Sequence, residues 1–120
     1  MNALVQGSFG LFLLAAVLGA VARFIGAGQL GRNQTIGIRT RATMASDEAW
    51  TRGHEAALPW MRAAATGGLA AGLACAGVGM AVEGEPGDAL TGTLTLAGYG
   101  LVTGLIISAG LAANRAALKV

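Results

Sequence analysis

Charge is what this chain has least of. Only 12% of its 120 residues are Asp, Glu, Lys or Arg, about half the share of a soluble domain. A soluble protein of this size needs a polar coat, and there are too few charges here to make one. Histidine and cysteine occur once each, at His54 and Cys75. A lone cysteine excludes an intramolecular disulfide, and neither residue has a partner at metal-ligand spacing, so no metal and no cofactor is expected. Aromatic residues make up 5%, so the basic residues lack the interleaved rings of a nucleic-acid binder, and no nucleic-acid partner is expected. There is no phosphate-cradling glycine motif and no Ser-His-Asp pattern. Glu48 and Glu55 fall on the opposite side of a helix from His54, so no catalytic constellation is expected and the chain reads as a non-enzyme.

What is present is apolar and arranged in blocks. Residues 3–22, 63–82 and 89–114 carry no charged side chain. A helix rises ~1.5 Å per residue, so ~20 residues cross a ~30 Å hydrocarbon core. Backbone in lipid must satisfy its own hydrogen bonds, so uncharged blocks of this length read as helices. Ala20-Val21-Ala22 fits a signal-cleavage site. The block before it has no Lys or Arg in front and is longer than a signal core, so it is expected to remain as a span. The sequence predicts an all-α integral membrane protein of one domain with three transmembrane helices, at residues 3–28, 59–82 and 89–113. A polar loop at 29–58 containing a short amphipathic helix, a turn at 83–88 and a tail at 114–120 complete it.

The charges give the spans a direction. Arg23, Arg32, Arg39, Arg41, Arg52, Arg62, Arg115 and Lys119 all lie in or beside the first loop or in the tail. Residues 83–88 hold three acids and no base. Basic residues are retained on the cytoplasmic side. A multi-pass cell-membrane protein with its N-terminus outside and its C-terminus cytoplasmic is therefore expected, with anionic lipid headgroups as partners at the inner face. No ionisable group falls centrally in a span, which argues against a pump or a carrier of charged substrates. Arg23 is expected to snorkel to the headgroups, and Trp60 and Arg62 to anchor the second span.

Small residues recur at four-residue spacing. Ala64, Gly68, Gly72 and Ala76 form one such face, and Gly100, Gly104, Ser108 and Ala112 another. Two flat faces on consecutive helices predict a tight antiparallel hairpin. The spare face Gly67-Ala71-Cys75-Gly79 is a candidate surface for a homo-oligomer or a larger membrane complex, with packing the expected role of Cys75.

Between residues 29 and 58 the composition changes. Gly31-Arg32-Asn33-Gln34 is turn-like, and Ile36-Gly37-Ile38-Arg39-Thr40 is a short extended stretch. Ser46 is an expected N-cap, with Asp47 and Glu48 set against the positive end of the helix dipole. Beyond it Trp50, His54, Ala57 and Met61 share one face, opposite Glu48, Arg52 and Glu55. This is the pattern of an amphipathic helix lying at the membrane surface until Pro59 turns the chain into the second span.

Asn33, the Gly37-Ile38-Arg39-Thr40 core, Thr43, Ala49-Trp50 and His54 resemble the signature of the SdpI family of bacterial membrane proteins. The resemblance covers about a quarter of the chain, with the right hydropathy on both sides. It departs at Arg41-Ala42, where members often carry a proline, and in its three spans, where some have more. The best-known members are immunity proteins that protect a producer from its own peptide toxin; in one system a repressor is also held at the membrane. The resemblance implies a site at Asn33, Gly37, Ile38, Arg39, Thr40, Thr43, Trp50 and His54, with a peptide toxin or a protein partner as ligand. An accessory subunit of a membrane complex is the alternative, followed by a small oligomeric transporter or lipid-binding protein.

The residues themselves set their own expectations. The fork of donors on Arg39 suits a phosphate or a carboxylate; equally, it would tie the loop to backbone carbonyls, Asp47 or Glu48. Asn33 and Thr40 are expected to serve turns and caps. Gly37 is expected to let the chain approach a helix. Trp50 reads as an interface anchor. His54 can titrate near neutral pH but is expected to be structural.

Overall fold

The computed structural model describes residues 1–120. It is all-helical: α1 at Ala3–Gly26, α2 at Asp47–Ala81 and α3 at Asp88–Leu118, with one 3-10 turn at Thr43–Ala45. All three helices are long and apolar enough to cross a membrane. Each runs antiparallel to the next, with α2 packed between the other two and α1 and α3 scarcely touching.

Local chemistry fixes the ends. Asn2 caps α1 by accepting from the Val5 N–H, while its amide donates to Gly79 O at 2.6 Å. One side chain thus starts α1 and ties it to the far end of α2. The first span stops at Gly26 rather than running to residue 28, because Gly28 turns left-handed at φ +70. The Gln29 N–H returns to Phe24 O and the Gly28 N–H to Ile25 O, the closing pattern that a glycine there permits. Ser46 caps α2 through the Ala49 N–H as its sequence predicts.

Two further boundaries differ from expectation. The amphipathic segment is not a separate surface helix, since α2 continues through Pro59. A proline removes one backbone bond, a loss that helices packed in membranes tolerate. Here the buried stripe Trp50, His54, Ala57, Met61, Ala64, Gly68 runs unbroken across it, so a bend would forfeit contacts on both sides. The tail is helical to Leu118, with Ala113 packed against α2 and Ala117 buried.

At ~1.5 Å per residue the 35 residues of α2 measure ~52 Å, well beyond the ~30 Å core. Gly26 at the end of α1 lies level with Leu58 and Arg62. Everything in α2 before Leu58 therefore projects past the end of α1, and residues 58–81 alone, at ~36 Å, are long enough to cross that core.

The small face of α2 is where expected, with Ala64, Gly68 and Gly72 buried. The α3 face is not. Its buried residues are Gly98, Val102, Ala109, Ala113 and Ala117, while Gly100 and Gly104 have nothing near them. A glycine groove can take another flat face or a projecting side chain, and here it takes side chains. The knobs are Phe12 of α1, seated at Gly72, and Val102 of α3, seated at Gly68 beside Ala15 and the Leu11 carbonyl. The face proposed for an oligomer is also internal: Gly67 meets Leu101, Ala71 meets Gly98, Cys75 is buried and Gly79 meets Leu4 and Val5. Within the bundle Tyr99 donates from α3 to Gly7 O of α1 at 2.6 Å, since a hydroxyl away from water must find an acceptor.

Candidate functional site

Residues 29–46 fold back over the projecting end of α2, and side chains from α2 hold them there. Asn33 shapes the first turn. Its carbonyl oxygen accepts from the Thr35 and Ile36 N–H groups at 2.8 and 2.7 Å, and its amide donates to Gly31 O and Ile36 O. All its bonding capacity is spent within four residues, the turn role expected of it.

Gly37 follows at φ +115, a conformation other residues rarely adopt. A Cβ there would lie 2.8 Å from both His54 Nε2 and Trp50 Cη2. The bare glycine backbone thus rests on an aromatic platform. Trp50 and His54, one turn apart, stack at 4.1 Å between centroids and 29° between planes. The extended stretch forms no sheet, because no second strand exists to pair with it.

Ile38 is held from both sides. Its N–H donates to His54 Nε2 at 2.9 Å, and its carbonyl accepts from Thr43 Oγ1 at 2.7 Å. Thr40 and Thr43 bond reciprocally: the Thr40 N–H donates to Thr43 Oγ1 and the Thr43 N–H to Thr40 Oγ1. With its backbone fixed, Ile38 packs its side chain onto the core formed by Ala22, Ala57, Met61, Ala109 and Ala113. The loop is thereby plugged between α1 and α3.

Trp50 is a buried hub and not an interface anchor. It is 1% exposed and donates from Nε1 to Leu30 O at 2.9 Å. Trp60, 42% exposed, is the ring at the surface. His54 Nδ1 bonds Trp50 O at 2.8 Å. A carbonyl only accepts, so Nδ1 carries the proton and Nε2 keeps the lone pair that receives Ile38. Burial disfavours the imidazolium and lowers the pKa from its ordinary 6.5; the bond to Trp50 O opposes this more weakly.

Seven of the eight residues singled out by sequence therefore build one clamp. Arg39 stands apart: it is exposed, and its one bond is to Gln34 Oε1 at 3.4 Å. The tie expected of Arg39 belongs to Arg32, which reaches Asp47 Oδ1 at 3.2 Å and Met44 O at 3.0 Å. Gly53 was also missed. A Cβ there would meet Thr43 Cγ2 at 2.9 Å and Ala113 O at 3.0 Å, so it seats both the loop and α3. Its signal was a glycine inside an amphipathic helix, a choice that costs helix stability without a packing reason.

No curated protein and no solved structure matches the chain. The SdpI/YfhL protein family does, over residues 29–113. That span holds the whole clamp, all of α2 and most of α3, more than two thirds of the sequence. The chain is a multi-pass membrane protein belonging to the SdpI/YfhL protein family.

Proposed function

We propose that this protein protects a bacterial cell from a peptide toxin by binding the toxin, or a protein partner, at the membrane, without catalysis. The observation that carries the reading is the exposed Arg39 on a rigid base. Its guanidinium is free to grip a carboxylate or phosphate while its neighbours Ile38 and Thr40 are fixed. A fixed backbone leaves only the side chain to be ordered on binding. In this reading the clamp and the C-terminus face the cytoplasm and the N-terminus and acidic turn face outward. The gathering of all the basic residues at the clamp end of the bundle supports that orientation. Inner-leaflet anionic headgroups are then the lipid partners.

Deleting the gene should sensitise cells to a secreted membrane-active peptide, and Arg39→Ala should fail to restore protection although the protein accumulates normally. Unchanged sensitivity across a panel of such peptides would overturn the reading. The unpartnered Gly100 and Gly104 on α3 favour a second reading, an accessory subunit of a larger membrane complex. It requires a partner that stays bound through purification in mild detergent, and a chain that elutes alone would count against it.

A further inference from the structure

His54 is the only histidine in the chain, and both of its ring nitrogens are committed. The clamp exists with the neutral Nδ1–H tautomer and with no other form of the ring. A proton added at Nε2 turns the acceptor of the Ile38 N–H into a second donor facing it, and that bond is lost. Gly37 lies against the same nitrogen, so while the loop is in place no other acceptor can reach the new N–H. Solvating the imidazolium requires the loop to move.

No neighbouring charge relieves this. On α2, Glu48, Arg52 and Glu55 line a groove on another face with Arg115 and Lys119 of α3. Arg32 and Asp47 pair with each other, and Arg39 reaches Gln34. Arg41 is exposed to solvent, Arg23 lines a groove with Phe24 and Gln29, and Arg62 lies along Gly26. The contacts of the ring are with Trp50, Gly37 and Ile38, and no charged group contributes to its shift.

What Ile38 covers gives its release a consequence. With Gly37 it lines a half-open apolar groove of about 200 Å³ between α1 and α3, whose other walls are Leu18, Val21, Ile106 and Ala109 over Met61. The other attachment of Ile38, from its carbonyl to Thr43, contains no titratable group, so protonation of His54 does not break it directly.

We propose that residues 36–38 form a proton-sensitive lid: protonation of His54 at Nε2 frees the Ile38 N–H, and the lid swings about the Thr40–Thr43 pair to widen the apolar groove between α1 and α3. Burial of His54 keeps the lid closed at neutral pH and sets its opening on the acid side of 6.5. The inference stands on the clamp alone and does not depend on toxin immunity.

The test uses the full chain in phospholipid nanodiscs, labelled with ¹⁵N and ¹³C. Histidine shifts should report the Nδ1–H tautomer at neutral pH. As the pH falls from 6.5 toward the lower pKa of the closed form, the protection factor of the Ile38 amide, corrected for intrinsic exchange, should fall by up to tenfold per pH unit, while the α2 amides beyond Met61 stay protected. His54→Gln offers a carbonyl oxygen to Ile38 without titrating, and its Ile38 protection should be flat over the same range. An Nε2–H tautomer at neutral pH would overturn the proposal. So would His54 protonation that leaves Ile38 protection unchanged, or equal pH dependence in His54→Gln. The wild-type titration decides the matter even if the variant fails to fold.

Discussion

Gly37→Ala should open the loop while leaving the bundle intact. A Cβ at this position would stand 2.8 Å from His54 Nε2, 2.8 Å from Trp50 Cη2 and 2.9 Å from Trp50 Cζ2, well inside normal contact. Neither ring can retreat: the Trp50 indole is held by Leu30 O and the His54 imidazole by Trp50 O. Backbone strain for an L-residue at φ +115 adds roughly 1–3 kcal/mol. Losing the Ile38–His54 bond adds ~1 kcal/mol. A local loss of about 2–4 kcal/mol raises the open population of the loop some 30- to 1,000-fold, since 1.4 kcal/mol is about tenfold. Trypsin reads this directly, because Arg39 and Arg41 lie in the segment that would be freed. In nanodiscs Gly37→Ala should be cut there by that factor faster than wild type, with the spans still folded by circular dichroism. Gly31→Ala is the control, because a Cβ at Gly31 meets nothing within 4 Å. Equal cleavage of Gly37→Ala and wild type would refute the contact between Gly37 and the Trp50–His54 platform.

Further outcomes follow from the same contacts. Gly53→Ala drives a methyl toward the Ala113 carbonyl and Thr43 and should destabilise by ~1–3 kcal/mol; Gly104→Ala, with open space around it, should be neutral or slightly stabilising. Reversible unfolding in detergent checks both. Arg39→Ala should leave the midpoint unchanged, because its one bond is long and exposed. Arg32→Ala should lower stability by no more than ~1 kcal/mol, since its pair with Asp47 is solvent-screened. His54 has a folded pKa below its unfolded value of 6.5, so the unfolded chain binds the proton more readily. Its contribution is complete above pH ~6.5 and declines by up to ~1.4 kcal/mol per unit as pH falls toward the folded pKa. A chemical-denaturation series across that range should show the slope in wild type and lose it in His54→Gln.

Three spans were legible because uncharged length is a global property that no local packing detail can reverse. The stripe Trp50, His54, Ala57, Met61 was legible for a related reason: helical spacing fixes which residues share a face. Spacing does not say what covers the face, so a buried clamp and a surface helix look alike in sequence. Pro59 reads as a break by its chemistry, and only contacts on both sides of it keep α2 whole. The α3 interface was misjudged because small residues at four-residue intervals mark places for close approach without showing whether a knob is available. Arg39 and Arg32 have the same side chain in the same loop. The loop path sets Arg32 beside Asp47 and Arg39 away from it, and that path depends on Leu30 meeting Trp50. The tie from Asn2 to Gly79 joins residues far apart in sequence and left no local trace.

The clamp stands or falls on one hydrogen bond, from the Ile38 amide to His54 Nε2. Nitrogen–nitrogen scalar coupling across that bond can be measured on the ¹⁵N-labelled protein in lipid at neutral pH. A closed clamp gives a cross-peak between the Ile38 amide nitrogen and an unprotonated His54 Nε2. A protonated Nε2 beside a freely exchanging Ile38 amide would contradict it.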